Sequence, residues 1–471
     1  MNETKSTDFR GFLGLLKEQG DIASFDDEIS LEYEIGALCR LLSDRDGPAA
    51  MLNCIAGATA PCTRAAVNVY GTRRRLAAAL GVSEAGLLDF VASRIGQRID
   101  PELVTSGVAS CQEVVIPEAE VDLRLWPIPL WNEGDGGPYI TAGLWIAPHP
   151  EFGWNIAHHR GQIYGPREIG VCVAPDHHLR LVTDEARPTG KRVEAAILIG
   201  ARPSVTIAAS SDFAHGDYEL KVAGALDGNA IRTVRCKTVS VDVPVDTEIV
   251  VEGYFDGETR PEGPFVEFTG YQTPVVTSPV FHVTCITHRK DPIFHGVFAG
   301  TPPCETNTLW RELEEAEAYV SLRRKFPMLK AVHRPPQVGR DFWGVLQVDS
   351  KRYREGMTMT LLMASSAVMP RLKFVVAVDE DIDLYDMTQV IWAISTRCDP
   401  KADLQMVAGT MTSWLDPSSG GVTGKVLIDA TRKPGFRGVK PAFPTAAMNR
   451  ARTLLDAAMV SLQRYSTGSS L

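Results

Sequence analysis

Pro261-Glu262-Gly263-Pro264-Phe265-Val266-Glu267-Phe268-Thr269-Gly270-Tyr271 is the stretch on which the reading of this chain turns. It carries two carboxylates five residues apart on a segment that cannot be helical. Pro261 and Pro264 fix φ and remove two amide donors, while Gly263 and Gly270 permit turns. Phe265, Val266 and Phe268 draw Glu267 toward an interior. A carboxylic acid drawn into apolar surroundings holds its proton more tightly, which is what a general acid requires near neutral pH. The competing reading makes Glu262 a turn residue and Glu267 a solvated loop residue.

The chain has 471 residues, 44% hydrophobic and 23% charged, an ordinary globular composition. At roughly 100–200 residues per domain the length predicts two to four domains. A net charge of −10 argues against a nucleic-acid or anionic-membrane partner. The nine cysteines are scattered, odd in number and without a CxxC pair, so they read as thiols of a reducing compartment rather than a zinc site. The polar N-terminus shows no apolar signal-like run, and no stretch is long enough to span a membrane; a cytoplasmic location is expected.

Helices are expected at 8–19, 31–42, 72–80 and 83–95, with strands at 49–52 and 65–69, so residues 1–112 read as an α/β lobe. From 113 to 305 the pattern changes to short β-rich runs between Gly/Pro turns, at 140–146, 170–173, 195–199, 233–243, 248–254 and 280–286, a barrel or sandwich interrupted by a helix near 217–225. Thr308 reads as the N-cap of a linking helix over 306–327, with Leu309, Leu313, Ala316 and Val320 on one face and Glu312, Glu314, Glu315 and Glu317 on the other. Residues 328–444 alternate strand and helix. A tail helix at 445–471 is apolar enough to dock on the body or on a neighbouring subunit.

Four constellations could carry chemistry. In Trp154-Asn155-Ile156-Ala157-His158-His159-Arg160-Gly161-Gln162, a single strand would put His158 and His159 on opposite faces, and likewise Asn155 and Arg160 unless a bulge intervenes. Asp176-His177-His178 offers ligands or surface residues. Ser210-Ser211-Asp212, with Glu219 heading a small-residue helix, suits a phosphate loop or a dipole-stabilised carboxylate. Gly424-Lys425 lacks the spacing of a P-loop but delivers one lysine from a glycine-rich turn.

Together these segments resemble the UbiD family of prenylated-FMN-dependent decarboxylases. The resemblance rests on Asn155 through Arg160 and Gln162, on Pro261–Tyr271, on Trp392-Ala393 through Thr396-Arg397 and Pro400, and on Lys425 through Asp429-Ala430-Thr431. It implies a multidomain α+β fold: an N-terminal α/β lobe, a split β-barrel holding the flavin, a connecting helix and a C-terminal α/β oligomerisation domain. It implies a catalytic set of Arg160, Glu262 and Glu267, with Glu267 as proton donor, Arg160 holding the substrate carboxylate, and apolar burial offsetting the effect of Arg160 on the acid. It implies a flavin phosphate joined through Mn²⁺ or Mg²⁺ to Asn155, His178 and Glu219, with K⁺ nearby. His178 is favoured over His177 because Leu179-Arg180 follows it, and Asp176 would support the ligand. Ile156, Ala157, Gln162, Ser210, Ser211 and Lys425 would complete the cofactor site, and Val173, His177 and Phe268 the substrate pocket.

The implied reaction is reversible, non-oxidative decarboxylation of an aromatic, heteroaromatic or α,β-unsaturated acid bonded transiently to the flavin, CO₂ being replaced by a proton. A flavin prenyltransferase would supply the cofactor, and a homodimer or homohexamer is expected. The alternatives are a flavin-binding storage protein of the same fold and a metal-dependent hydrolase using His158 and His159.

Overall fold

The runs expected at 248–254 and 280–286 are parts of much longer strands, Ile249–Glu262 and Val276–His288, paired antiparallel along most of their length. The computed structural model describes residues 8–467 except 60, 108, 150, 152, 175–176, 212, 214–216, 350–355 and 440, with side chains described to 458. Asp176 and Asp212 lie outside the described residues.

Around the long pair, nine strands form one sheet. Its order is Tyr139–Ile140, Gly161–Ile163, Glu168–Val171, Val276–His288, Ile249–Glu262, Val193–Ile199, Leu144–His149 and Gly153–His158, with Val114–Pro117 added on Val276–His288. Among the described residues the two end strands are not bonded to each other, so the sheet is open. A register shift follows Glu252, where only glycine fits: a Cβ on Gly253 would stand 2.1 Å from His282 O. Inside, Phe281 meets both Trp145 and Phe255 at 5.1 Å between ring centroids. The alternation at 239–245 forms only the short strand Asp242–Pro244, paired back on Arg232–Arg235, instead of one strand over 233–243.

The N-terminal sheet runs Ile22–Phe25, Ala49–Leu52, Arg64–Val67 and then Ile293–Gly296. Its fourth strand therefore comes from the far end of the barrel segment, and Glu102–Leu103 pairs with Arg232–Thr233. The lobes exchange strands, and Met1–Thr431 is one unit.

The linking helix is two helices, Glu305–Leu309 and Glu312–Arg323, broken at Trp310-Arg311. Thr308 is no N-cap; it lies inside the first helix and its hydroxyl donates to Gly71 O. On the acidic face of the second helix Glu317 is exposed, but two of its neighbours are not. Glu312 and Glu315 are buried, Glu312 against Arg73 and Arg311 and Glu315 against His333 and the amide of Arg334.

The C-terminal sheet has the order Leu329–His333, Trp343–Val348, Phe374–Asp379, Val422–Ala430, Leu404–Met411. Helix Met387–Arg397 is capped by Asp386 and tied to the sheet by Arg397, which donates to Asp379 and Asp381. Residues Arg432–Leu471 form a second unit containing helix Thr445–Thr467, on which Leu454 and Leu455 are exposed. No single helix among the described residues is long and apolar enough to cross a membrane.

Phe281 is fully buried between Trp145 and Phe255. Truncating it removes contacts that span the sheet interior. Phe281→Ala is expected to cost about 3–5 kcal/mol, read as a lowered midpoint in urea or thermal unfolding followed by circular dichroism.

Candidate active site

Asn155 and Arg160 do not share a strand. Asn155 lies in Gly153–His158, and the chain turns through His159-Arg160 before Gly161–Ile163. The first strand pairs with Leu144–His149, the second with Tyr139–Ile140 and Glu168–Val171. Alternation of faces therefore does not govern the pair. The turn is pinned by Trp145 Nε1 donating to His159 O at 2.8 Å and by Cys172 N donating to Arg160 O at 3.3 Å.

That turn aims Arg160 at the Pro261–Tyr271 segment. Nε and Nη2 donate to the two oxygens of Glu262 at 2.9 and 2.8 Å, and Nη1 donates to Glu267 Oε1 at 2.5 Å. Glu262 is the last residue of strand Ile249–Glu262 and is fully buried, which removes the turn-cap reading. Glu267 lies beyond the short strand Phe265–Val266, and 18% of its side chain is accessible. The guanidinium carbon lies 4.9 Å from the Phe265 ring centroid. Burial opposes the charge on Arg160, but the two carboxylates outweigh it and hold the guanidinium cationic above its usual range.

A second loop holds the segment in place. Gln162 bridges it, donating to Gly136 O at 2.6 Å and accepting from Gly263 N at 2.9 Å. Gly136 N donates to Pro264 O at 2.7 Å, and Asp135 accepts from Val266 N at 2.9 Å. Gly263 has φ +99°, and a Cβ on Gly136 would approach Gly263 O to 2.3 Å, so both glycines are required by the contact. Burial pushes Asp135 up to about 6. Gln162, expected on the cofactor, has both ends of its amide engaged here and acts as a positioning group. Asp135 was not picked out from the sequence, although Asp135-Gly136-Gly137-Pro138 is a turn signature.

Arg160 and Glu267 open onto a shared cleft. Its walls include Cys172, Ala174, His177, Phe268, Trp310, Arg340, Trp414 and Leu415. His177 and Phe268 were expected there; Val173 was not correctly placed. Val173 is packed in the barrel core while Cys172 and Ala174 face the cleft, because neighbours in an extended run alternate sides. His158 and His159 both reach the cleft wall. The His158 ring lies 4.4 Å from that of Trp310 between centroids, tilted by 57°, and its Nε2 meets Thr206 O at 3.3 Å. Neither histidine belongs to the group whose spacing would suit a metal among the described residues, which is Asp256, Glu258 and His282.

Glu219 opens helix Glu219–Asp227 and is buried. Its oxygens accept from Asn155 Nδ2 and Ile156 N, each at 2.8 Å. Burial pushes its carboxyl up to about 8, against these neutral donors. His178 opens helix His178–Ala186 and is half-buried, while His177 precedes it and faces His159 at 5.4 Å between ring centroids. Ile156 is buried and Ala157 half-buried in the same strand as Asn155; Ser210 donates to Thr206 O at 2.7 Å and Ser211 is half-buried beside it. Lys425 is not brought to the cleft. It lies in strand Val422–Ala430 with its ammonium on Pro370 O and Leu372 O, and burial pushes it down to about 8. A glycine-rich approach did not decide its position; the sheet did.

Three family models match in order. They describe the N-terminal, Rift-related and C-terminal domains of 3-octaprenyl-4-hydroxybenzoate carboxy-lyase, over residues 13–95, 102–302 and 307–430. The chain belongs to the UbiD family. It is an enzyme of the carboxy-lyase class, with the multidomain α+β fold of UbiD-class proteins. An uncharacterized protein of Archaeoglobus fulgidus is 30% identical over 95% of this chain and 96% of its own. The UbiD-class enzyme HmfF from Pelotomaculum thermopropionicum, in complex with FMN, superposes with TM-score 0.87 at 31% identity, over 93% of this chain and 97% of its own. An evolved dimeric form of HmfF in complex with prFMN gives TM-score 0.84 at 29% identity, covering 94% and 100%. Vanillic acid decarboxylase of Sedimentibacter hydroxybenzoicus, in closed form, gives 0.80 at 26% identity, covering 96% and 98%.

Two buried histidines make this UbiD-family chain acid-sensitive. Burial holds His158 and His295 down to about 3. An unfolded histidine takes its proton near 6.5, so both sites add nothing above that pH and oppose folding as pH falls from about 6.5 toward 3. His295→Phe is expected to flatten the loss of thermal midpoint between pH 6.5 and 4.5 relative to wild type; parallel curves for the two proteins would contradict it.

Proposed function

We propose that this carboxy-lyase removes CO₂, reversibly and without net oxidation, from an aromatic, heteroaromatic or α,β-unsaturated carboxylic acid. The observation that carries the reading is the fork of Arg160 between Glu262 and Glu267 at the wall of the cleft. Prenylated FMN, when bound, supplies the electron sink for the carbon that loses CO₂. The residues present fit it at two points. Glu219 is a buried carboxylate held by neutral donors, a place where a divalent cation replaces a proton favourably. Asn155 gives its Nδ2 to Glu219, which leaves its Oδ1 for a hard cation such as Mn²⁺ or Mg²⁺. His178 would be the third ligand, and Ile156, Ala157, Ser210 and Ser211 would lie along the phosphate side.

Arg160 binds the substrate carboxylate, and Glu262 fixes the plane of the guanidinium and balances its charge. As the carbon–carboxylate bond breaks, its electron pair stays with the substrate, and Glu267 delivers a proton to that carbon. Its accessible edge lets the acid be recharged from solvent. His177, Phe268 and Trp310 shape the pocket for a flat ring. Self-association, at least to a dimer, would complete the assembly through the tail helix.

The test is co-expression with a flavin prenyltransferase, the ultraviolet–visible spectrum of the purified protein, and a screen of carboxylic acids for CO₂ release. Glu267→Gln is expected to keep the flavin spectrum and lose at least 100-fold in turnover, the usual scale for a positioned acid being about 10²–10⁴. Glu219→Ala is expected to lose flavin and metal together. A flavin-loaded wild type that neither releases nor fixes CO₂ would favour storage over catalysis, and normal turnover by Glu267→Gln would remove the acid assignment.

A further inference from the structure

The cleft has a second guanidinium that the Arg160 fork does not use. Arg340 lies in its wall, on the loop between strands Leu329–His333 and Trp343–Val348, with 15% of its side chain exposed. Its guanidinium carbon is 5.0 Å from the Phe268 ring centroid and 5.7 Å from that of Trp310. Stacking of this kind holds the plane of the group without neutralising it.

The polar contacts of Arg340 are weak. Nη1 reaches Trp310 O at 3.5 Å, and Nε stands 3.7 Å from Asp341 Oδ1. That oxygen already accepts from Arg334 at 2.8 Å. Arg160, in contrast, makes three bonds to two carboxylates. A largely buried cation without a close carboxylate is costly unless a partner arrives. The backbone places this cation with care: Arg340 N donates to Asn307 Oδ1 at 2.9 Å, and Asn307 Nδ2 donates to Phe268 O at 3.1 Å. Arg340 is thus tied through one side chain to the residue next to Glu267.

We propose that Arg340 anchors a second carboxylate on the substrate, so that the acid taken by this enzyme is an aromatic dicarboxylate. This rests on the carboxy-lyase reading and names the substrate class of the same site. One carboxylate sits on Arg160 and leaves as CO₂; the electron pair of its broken bond stays on the ring carbon and takes the proton of Glu267. The other is held by Arg340 and leaves unchanged in the monocarboxylate product.

The experiment uses flavin-loaded enzyme and matched mono- and dicarboxylates of benzene, pyridine and furan, with CO₂ release and the visible spectrum both recorded. The wild type is expected to prefer a dicarboxylate over its monoacid at least tenfold in kcat/KM. Arg340→Gln is expected to raise the dicarboxylate KM roughly tenfold or more, the scale of one lost charged hydrogen bond, with the flavin spectrum unchanged; Arg340→Lys should recover part of it. Turnover of monoacids as good as that of dicarboxylates, or an equal loss on both in Arg340→Gln, overturns the inference and leaves the carboxy-lyase reading standing. Loss of flavin absorbance in Arg340→Gln also overturns it, by assigning the cation to the cofactor. A flavin-loaded wild type that acts on no acid overturns the reading beneath it.

Discussion

A fully buried Glu262 must have a cation on it, and Arg160 is that cation. Leaving one partner of such a pair alone in the interior costs about 3–5 kcal/mol, so the two ends of the pair constrain the backbone that carries them. One end is a turn between two strands of the barrel sheet; the other is the tip of its longest strand. The third nitrogen of the guanidinium is then left pointing at Glu267, the partly accessible acid at the cleft. Orientation of the acid is a consequence of burying its neighbour.

The same constraint explains why so much of the surrounding structure is bonding between loops. Gln162, Gly136 and Asp135 all make contacts to the backbone of residues 263–266 and none of them forms part of the cleft lining. They hold a non-helical, proline-rich segment that has few ladder bonds of its own. The C-terminal domain takes part as well, since Trp414, Leu415 and Arg340 reach the cleft wall. The enzyme's pocket is closed by residues from regions far apart in sequence, around a rigid centre supplied by the barrel.

What could be read from the sequence follows this division. The Pro261–Tyr271 run was legible because its prolines, glycines and carboxylates state their own chemistry. Of the other motif runs, Arg397 and Asp429 prove structural: one ties a helix to Asp379 and Asp381, the other accepts from Thr431 in a turn. Lys425 was misplaced for the same reason, because a buried ammonium satisfied by carbonyls has no local signature. The Asn155–Arg160 relation stayed open in the sequence, because nothing local shows that two strands joined by a turn carry the pair. The burial of Glu312 and Glu315 could not be read from the sequence, because periodicity reveals the faces of a helix but not what lies against them. Arg340 and Trp310 had no local signal at all; only tertiary contact makes them part of the site.

The most direct test of the Arg160–Glu262 coupling is a double-mutant cycle in kcat/KM for CO₂ release, using Arg160→Lys, Glu262→Gln and the double variant in flavin-loaded protein. If Glu262 acts by fixing the fork of Arg160, the effects are strongly non-additive, with a coupling of about 2 kcal/mol or more, roughly a 30-fold departure from the product of the single losses. Effects that add to within about 0.5 kcal/mol would mean that the two residues act independently, and the account of this site would be wrong.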